Sequence, residues 1–231
     1  DRFYLGSAYS YKSFQLSREN KYISALKLAI KGMKQINSVI EQDSSFYDAY
    51  IGVGSYLYWR SYMTRNFSWL PFFADQRLKG IALIKTSFDK GEISKWAALS
   101  NLAWIYIQEE KFDHAIHCAE IGLARFPSAR TFLWPLGDAQ YKNNSFDAAL
   151  KTYQHLLMLV TNELFNNRYN EIVLELKIAQ CYFALEMWQS ARSHASQLLL
   201  ITPDDEVKKR LESKQKHARE LIKTVDAIIK E

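Results

Sequence analysis

Turn-forming residues are scarce. The 231 residues include eight glycines and four prolines, against usual frequencies of about 7% and 5%. Strand-rich folds need many turns, so sandwiches and barrels are excluded and long helices are expected. There are only two cysteines, Cys118 and Cys181, and their wide separation is neither a disulfide framework nor a zinc pattern. No apolar run approaches the roughly 18 residues of a membrane-crossing helix. A glycine-rich phosphate loop, a paired-cysteine metal motif and a nucleophile elbow are all missing. These absences argue against an enzyme and against a bound cofactor or metal.

Charge of one sign is also in short supply. Thirty Lys and Arg against 25 Asp and Glu leave a net charge of +5, with an isoelectric point near 9.0. Nucleic-acid domains concentrate basic charge on a stripe. Here Lys and Arg are spread along the chain among acids, and from Asp204 onward eight basic residues oppose seven acidic ones. No nucleic-acid partner is expected. Apolar residues make up 48% and charged residues 24%, which is the composition of a folded globular chain rather than a disordered one. The sequence opens on Asp1 rather than Met. It reads as a processed or shortened product whose signal peptide or further repeats lie outside it.

A period is present. Leu102-Ala103 is followed by Tyr106, Phe112, Ala115, Ala119 and Pro127. Leu136-Gly137 is followed by Tyr141, Phe146, Ala149, Tyr153 and Leu156. Ile178-Ala179 is followed by Tyr182, Trp188, Ala191, Ala195, Leu198 and Pro203. Ala103 to Gly137, Phe112 to Phe146 and Ala115 to Ala149 are each shifts of 34, and the third copy adds eight more. Small residues at 103, 137 and 179 let one helix approach its neighbour, and Ala115, Ala149 and Ala191 receive it twelve residues on. Pro127 and Pro203 mark helix ends. A single helix pair cannot bury its apolar stripe alone, so the pairs must stack.

These residues resemble the tetratricopeptide repeat, a 34-residue helix-turn-helix unit with small residues at its eighth and twentieth positions. Clear units are expected over 96–129, 130–163 and 172–203. Gln140 occupies a slot that is usually tyrosine, and no glycine precedes Phe112, Phe146 or Trp188. Looser copies cover 1–43, where Gly6 pairs with Ala25, and 44–91, where Gly54 pairs with Gly80. The spacing from Gly6 to Ala25 exceeds twelve by seven, which reads as two extra turns. The second loose copy carries an aromatic insertion, 60–74. Residues 204–231 form an amphipathic helix with Val207, Leu211, Ala218, Leu221, Ile222, Val225 and Ile228 on one face. This reads as a capping helix. The resemblance implies an all-α, right-handed α-solenoid of about five such pairs plus the cap, forming a single domain. A further likeness, carried by Asp48–Trp59, Trp69-Leu70-Pro71-Phe72 and Lys79-Gly80-Ile81, is to uncharacterised bacterial repeat proteins, some of them exported. It favours the envelope slightly over the cytoplasm.

In this family the first helix of each pair lines a groove for peptides or partner helices. Carried over by position, the groove-facing set is Ser55, Tyr58, Trp59, Ser100, Trp104, Ile107, Gln108, Thr131, Trp134, Asp138, Tyr141, Lys142, Leu176, Gln180 and Phe183. Tyr58, Trp59, Trp104, Gln108, Trp134, Asp138, Tyr141, Lys142, Gln180 and Phe183 are the candidate contacts. Trp and Tyr are favoured at such sites for their area and polar tips. A second candidate surface is the insertion, through Phe67, Trp69, Leu70, Phe72 and Phe73. His114, His117, Cys118 and Glu120 cluster on one expected helix, but nothing marks further metal ligands, so they read as packing or surface residues. The expected function is a non-catalytic scaffold for a protein or peptide partner. Two alternatives stay open: a module that self-associates through its C-terminal helix or its insertion, and an accessory domain of a larger enzyme.

Overall fold

The computed structural model describes residues 1–67 and 74–230, with the backbone alone at Phe67. Eleven α-helices follow in chain order among them: α1 Arg2–Arg18, α2 Tyr22–Gln42, α3 Tyr50–Met63, α4 Arg77–Lys90, α5 Lys95–Gln108, α6 Phe112–Arg125, α7 Arg130–Lys142, α8 Phe146–Thr161, α9 Tyr169–Ala184, α10 Trp188–Leu200 and α11 Asp205–Ile228. No strand occurs among the described residues. The helices pack in consecutive pairs, as the period implies. The chain divides into two compact units, Asp1–Ile105 and Tyr106–Glu231.

The turns explain why the repeats need no glycine. In four helix pairs one residue adopts a left-handed conformation two positions before the aromatic that opens the second helix. Asn20 (φ 61°) precedes Tyr22, Glu110 (56°) precedes Phe112, Asn144 (58°) precedes Phe146 and Glu186 (58°) precedes Trp188. The next residue donates its N–H five residues back: Lys21 to Leu16 (2.9 Å), Lys111 to Tyr106 (2.8 Å), Ser145 to Gln140 (2.9 Å) and Met187 to Tyr182 (2.9 Å). This is the Schellman arrangement, which satisfies orphan carbonyls at a helix end. Glycine is the residue that fits a positive φ most easily. At all four turns an Asn or Glu bears the strain instead, and in three of them it is in register with the repeat.

In the first unit the backbones of paired helices nearly touch. A Cβ added at Gly54 would lie 2.6 Å from the Gly80 carbonyl oxygen, and one at Gly80 would lie 2.6 Å from that of Gly54. The expected pairing of Gly54 with Gly80 is therefore present. The pairing of Gly6 with Ala25 is not. A Cβ at Gly6 would meet the Gly32 carbonyl oxygen at 3.0 Å, whereas the Ala25 carbonyl accepts a hydrogen bond from the Ser13 hydroxyl at 2.7 Å. Ser13 thus fills the small-residue slot, twelve positions before Ala25. The seven extra residues are not an insertion between the two slots. They lie in α1 ahead of Ser13, and there Gly6 makes a second close approach to Gly32 of α2.

A buried carboxylate fixes the start of α5. Asp48 accepts hydrogen bonds from the N–H of Ile93 (2.9 Å), the N–H of Ser94 (2.7 Å) and the Ser94 hydroxyl (2.7 Å). Burial acts to raise its pKa, but the hydrogen bonds from Ser94, Ile93 and Glu92 outweigh this and hold it below the usual carboxylate range.

The second unit has two apolar cores. One joins Leu133 of α7, Ala149, Tyr153, Leu156 and Val160 of α8, and Leu174, Ile178 and Cys181 of α9. The other joins Ile172, Leu176 and Ala179 of α9 and Ala191, Ala195 and Leu198 of α10 to Val207, Leu211, Ala218, Leu221 and Val225 of α11. The last helix is therefore a cap. One face closes the core and the other is charged, as a terminal element of stacked pairs requires. The eight additional residues of the third copy lengthen α8, the connection 162–168 and α9, and in that connection Asn166 donates to the Val160 carbonyl at 3.2 Å.

Candidate functional site

In the first unit the expected site residues lie on α3 and α5. Trp59 and Trp104 are half-buried. Tyr58 is fully enclosed, which corrects its assignment as a contact. Its backbone N would lie 2.8 Å from a Cβ at Gly80, so the position faces α4 rather than solvent. Its ring instead supports its neighbours. Trp59 meets it edge-on at 5.1 Å, Tyr62 stacks on it at 6.0 Å, and the Arg65 guanidinium lies 4.7 Å over Tyr62. Asn101 of α5 donates to the Ser55 hydroxyl of α3 at 2.6 Å, which sets the spacing of the two helices. Ser100, Ile107 and Leu176 are also buried and offer no surface. The same cause applies to each: they lie on the side of the helix that packs.

In the second unit the period of α7 places Trp134, Asp138 and Tyr141 on one face, with Thr131 and Lys142 beside them. Trp134 and Tyr141 are half-buried, and Lys142 is exposed. Both aromatics pack their inner edges on the α7–α8–α9 core, and Tyr141 meets Phe146 edge-on at 5.4 Å. Asp138 is not free. Its Oδ1 accepts the Tyr153 hydroxyl of α8 at 2.7 Å and the Lys177 ammonium of α9 at 2.8 Å. Lys177 also sits 5.2 Å over the Tyr153 ring. One carboxylate thus ties three helices. A Cβ at Gly137 would fall 2.5 Å from the Tyr153 ring, so this glycine makes the room the ring needs. Gln180 of α9 is half-buried, and Phe183 meets Trp188 edge-on at 5.2 Å. Gln108 is exposed at the end of α5.

The electrostatics of this face are settled within the fold. Burial raises the Tyr153 hydroxyl far above its ordinary range, and the Asp138 charge adds to this. Burial pushes the Cys181 thiol up to about 12, so it stays a protonated, inert thiol. Gln140, in its unusual slot, accepts from Thr152 at 2.8 Å. The sequence reading missed Lys177 and Tyr153. A lysine in the mostly apolar stretch Ile172–Ala179 of α9, one turn before Gln180, is the available signal.

Among the described residues no three His, Cys, Asp or Glu side chains converge as metal ligands, and His114 packs against Tyr106 at 5.3 Å. The insertion contacts Trp69, Leu70, Phe72 and Phe73, and the side chain of Phe67, lie outside the described residues. No described helix is long and apolar enough to cross a membrane.

No protein-family model matches the chain, and no curated protein matches it. Solved structures do. A crystal structure of an APC/C hetero-tetramer, Cut9–Hcn1, is similar with a TM-score of 0.58 and 16% identity, covering 97% of this chain and 40% of that one. The neighbour is a tetratricopeptide-repeat protein. The fold here is of the tetratricopeptide-repeat type. At that identity the likeness concerns fold alone, and the chain spans about two fifths of its neighbour's length.

Proposed function

We propose that the chain is a non-catalytic scaffold that holds a polypeptide segment against the first helices of its repeats. In the second unit the receiving face is Trp134, Tyr141 and Lys142 of α7 with Gln180 of α9. In the first it is Trp59 and Trp104. The observation that carries this reading is the state of the α7 face. Its aromatics are anchored on the core yet keep an exposed edge, and its one acid is already paired with Lys177. Such a face is rigid and mostly neutral. It offers contact area at little entropic cost, with the exposed Lys142 at its edge. Apolar and aromatic side chains of a partner segment are its natural complement.

The test is affinity capture from the source organism, followed by calorimetry with each captured polypeptide. Wild-type protein is compared with Trp134→Ala, Lys142→Glu and Gln180→Ala. A loss of about tenfold or more in affinity on Trp134→Ala is expected, as for a central aromatic contact. If all three variants remain helical and bind every captured polypeptide as tightly as wild type, the assignment of this face is wrong.

A further inference from the structure

The expectation that Lys and Arg are spread among acids along the chain fails in its first two helices. Residues 2–40, which make up α1 and nearly all of α2, carry seven Lys and Arg and a single acid, Glu19. That surplus of six exceeds the surplus of five for the whole chain. The same helix pair also holds the densest group of exposed large apolar side chains. On α2, Ile23 is 75% exposed, Leu26 57% and Ile30 54%. At 100° per residue these three share one face of the helix. Lys27 and Lys34 flank that face, and no acid occurs in α2 before Glu41. Tyr22, 65% exposed, stands at the tip of the hairpin, and Tyr11 and Phe14 of α1 are exposed as well.

The apolar arc of α2 therefore extends past its packed side. Ala25, Gly32, Met33 and Ile36 face inward and are buried. Ile23, Leu26 and Ile30 face outward beside lysines. α11 shows the usual alternative, for its outer face is charged with both signs and its large apolar residues lie mostly in the core. A basic helix with a ridge of aliphatic side chains suits the boundary of an anionic bilayer, where apolar groups enter the acyl region and lysines meet headgroups. A second copy of the chain would bring lysine against lysine. A convex ridge on one helix also suits a broad surface better than the groove a partner helix requires.

We propose that the outer face of α2 binds the surface of an anionic lipid membrane, with Ile23, Leu26 and Ile30 inserted and Lys27 and Lys34 at the headgroups. This surface shares no residue with the α7 face, and the attachment is peripheral.

The experiment is co-flotation of the full chain with vesicles of phosphatidylcholine alone and of phosphatidylcholine with one third phosphatidylglycerol, at low and high salt. Binding to the anionic vesicles only, weakened by salt, is expected. The double variant Leu26→Ser/Ile30→Ser should bind at least about tenfold more weakly. Lys27→Glu and Lys34→Glu should each cost about fivefold or more. All four positions are exposed, so circular dichroism should show the helices unchanged. The proposal is overturned if anionic vesicles are not bound, or if they are bound equally by the apolar and charge-reversed variants. It is also overturned if the wild type binds no vesicles but forms a concentration-dependent dimer that Leu26→Ser/Ile30→Ser abolishes. Capture of a synthetic acidic amphipathic helix in place of vesicles would overturn it too, and would mark the ridge as a protein contact.

Discussion

The two compact units solve one packing problem in different ways. In the first, paired helices meet backbone to backbone, Gly6 against Gly32 and Gly54 against Gly80. In the second, two glycines make room for aromatic rings, Gly122 for Phe132 and Gly137 for Tyr153. Within the first unit, α1 and α2 carry eight large exposed apolar residues, whereas α3 and α4 enclose Tyr58 and Ile84 fully. The second uses its large side chains to fill the core. Close approach saves volume but gives up the interlocking that rings provide, so the first unit should tolerate far less change at its contacts.

The sharpest way to break this comparison is to add one methyl group to each kind of contact. Gly80→Ala would set a Cβ against backbone atoms that cannot rotate away, and it should cost about 3 kcal/mol, the upper end for overpacking. Gly137→Ala meets a ring that can shift, and its improved helix propensity offsets part of the strain, so about 1 kcal/mol is expected. Urea titrations followed by helical ellipticity would rank them. Equal costs would show that the two contacts do not differ.

Next in size is the three-helix tie of the second unit. Asp138→Ala leaves Lys177 and the Tyr153 hydroxyl without their shared acceptor, and should cost about 2–3 kcal/mol. Lys177→Met should cost less, because the Tyr153 bond remains. A double-mutant cycle should then show coupling between positions 138 and 177. Strict additivity would mean that the ion pair contributes nothing.

The corresponding polar tie of the first unit is Asp48, and it predicts a pH dependence. Its folded pKa is lowered, so its contribution is fully present above the ordinary carboxylate pKa near 4 and is lost as pH falls through the lower folded value. Stability should drop on acidification below about pH 4. The drop should be smaller in Asp48→Asn, which should itself cost about 2 kcal/mol at neutral pH because a hydrogen-bonded charge is removed. An unchanged acid profile in the variant would remove Asp48 from the account.

The smallest effects lie in the turns. Glu110→Gly and Glu186→Gly should each stabilise by about 0.5–1 kcal/mol, because the left-handed backbone strains a residue with a Cβ. Asn144→Gly should gain less, since asparagine tolerates that conformation better. Thermal melts of the three variants would show the order. Destabilisation by Glu110→Gly would mean that the glutamate contributes more than its backbone shape.

The regular repeats were legible because their marks recur at fixed spacing. Phe112, Phe146 and Trp188 each open a second helix, and Ala115, Ala149 and Ala191 are each fully buried. The first pair was misread because glycine was taken as the small-residue mark. Serine fills that slot there, and the nearby Gly6 belongs to a different contact. The candidate faces were legible as faces only. Position along a repeat indicates which side of a helix a residue occupies, but not whether a neighbour covers it. That is why Tyr58, Ser100 and Ile107 were placed outside and proved to be buried.

Sequence alone determined the all-helical class, the paired helices, the period and the terminal cap, because each follows from local turn chemistry and from apolar residues repeating every three to four positions. Only the tertiary structure decided that Lys177 neutralises Asp138, that Asp48 holds the start of α5, and that Ile23, Leu26 and Ile30 stay in solvent beside lysines. Those outcomes depend on which helices meet and at what distance, and pairing between residues dozens of positions apart leaves no periodic trace in the chain.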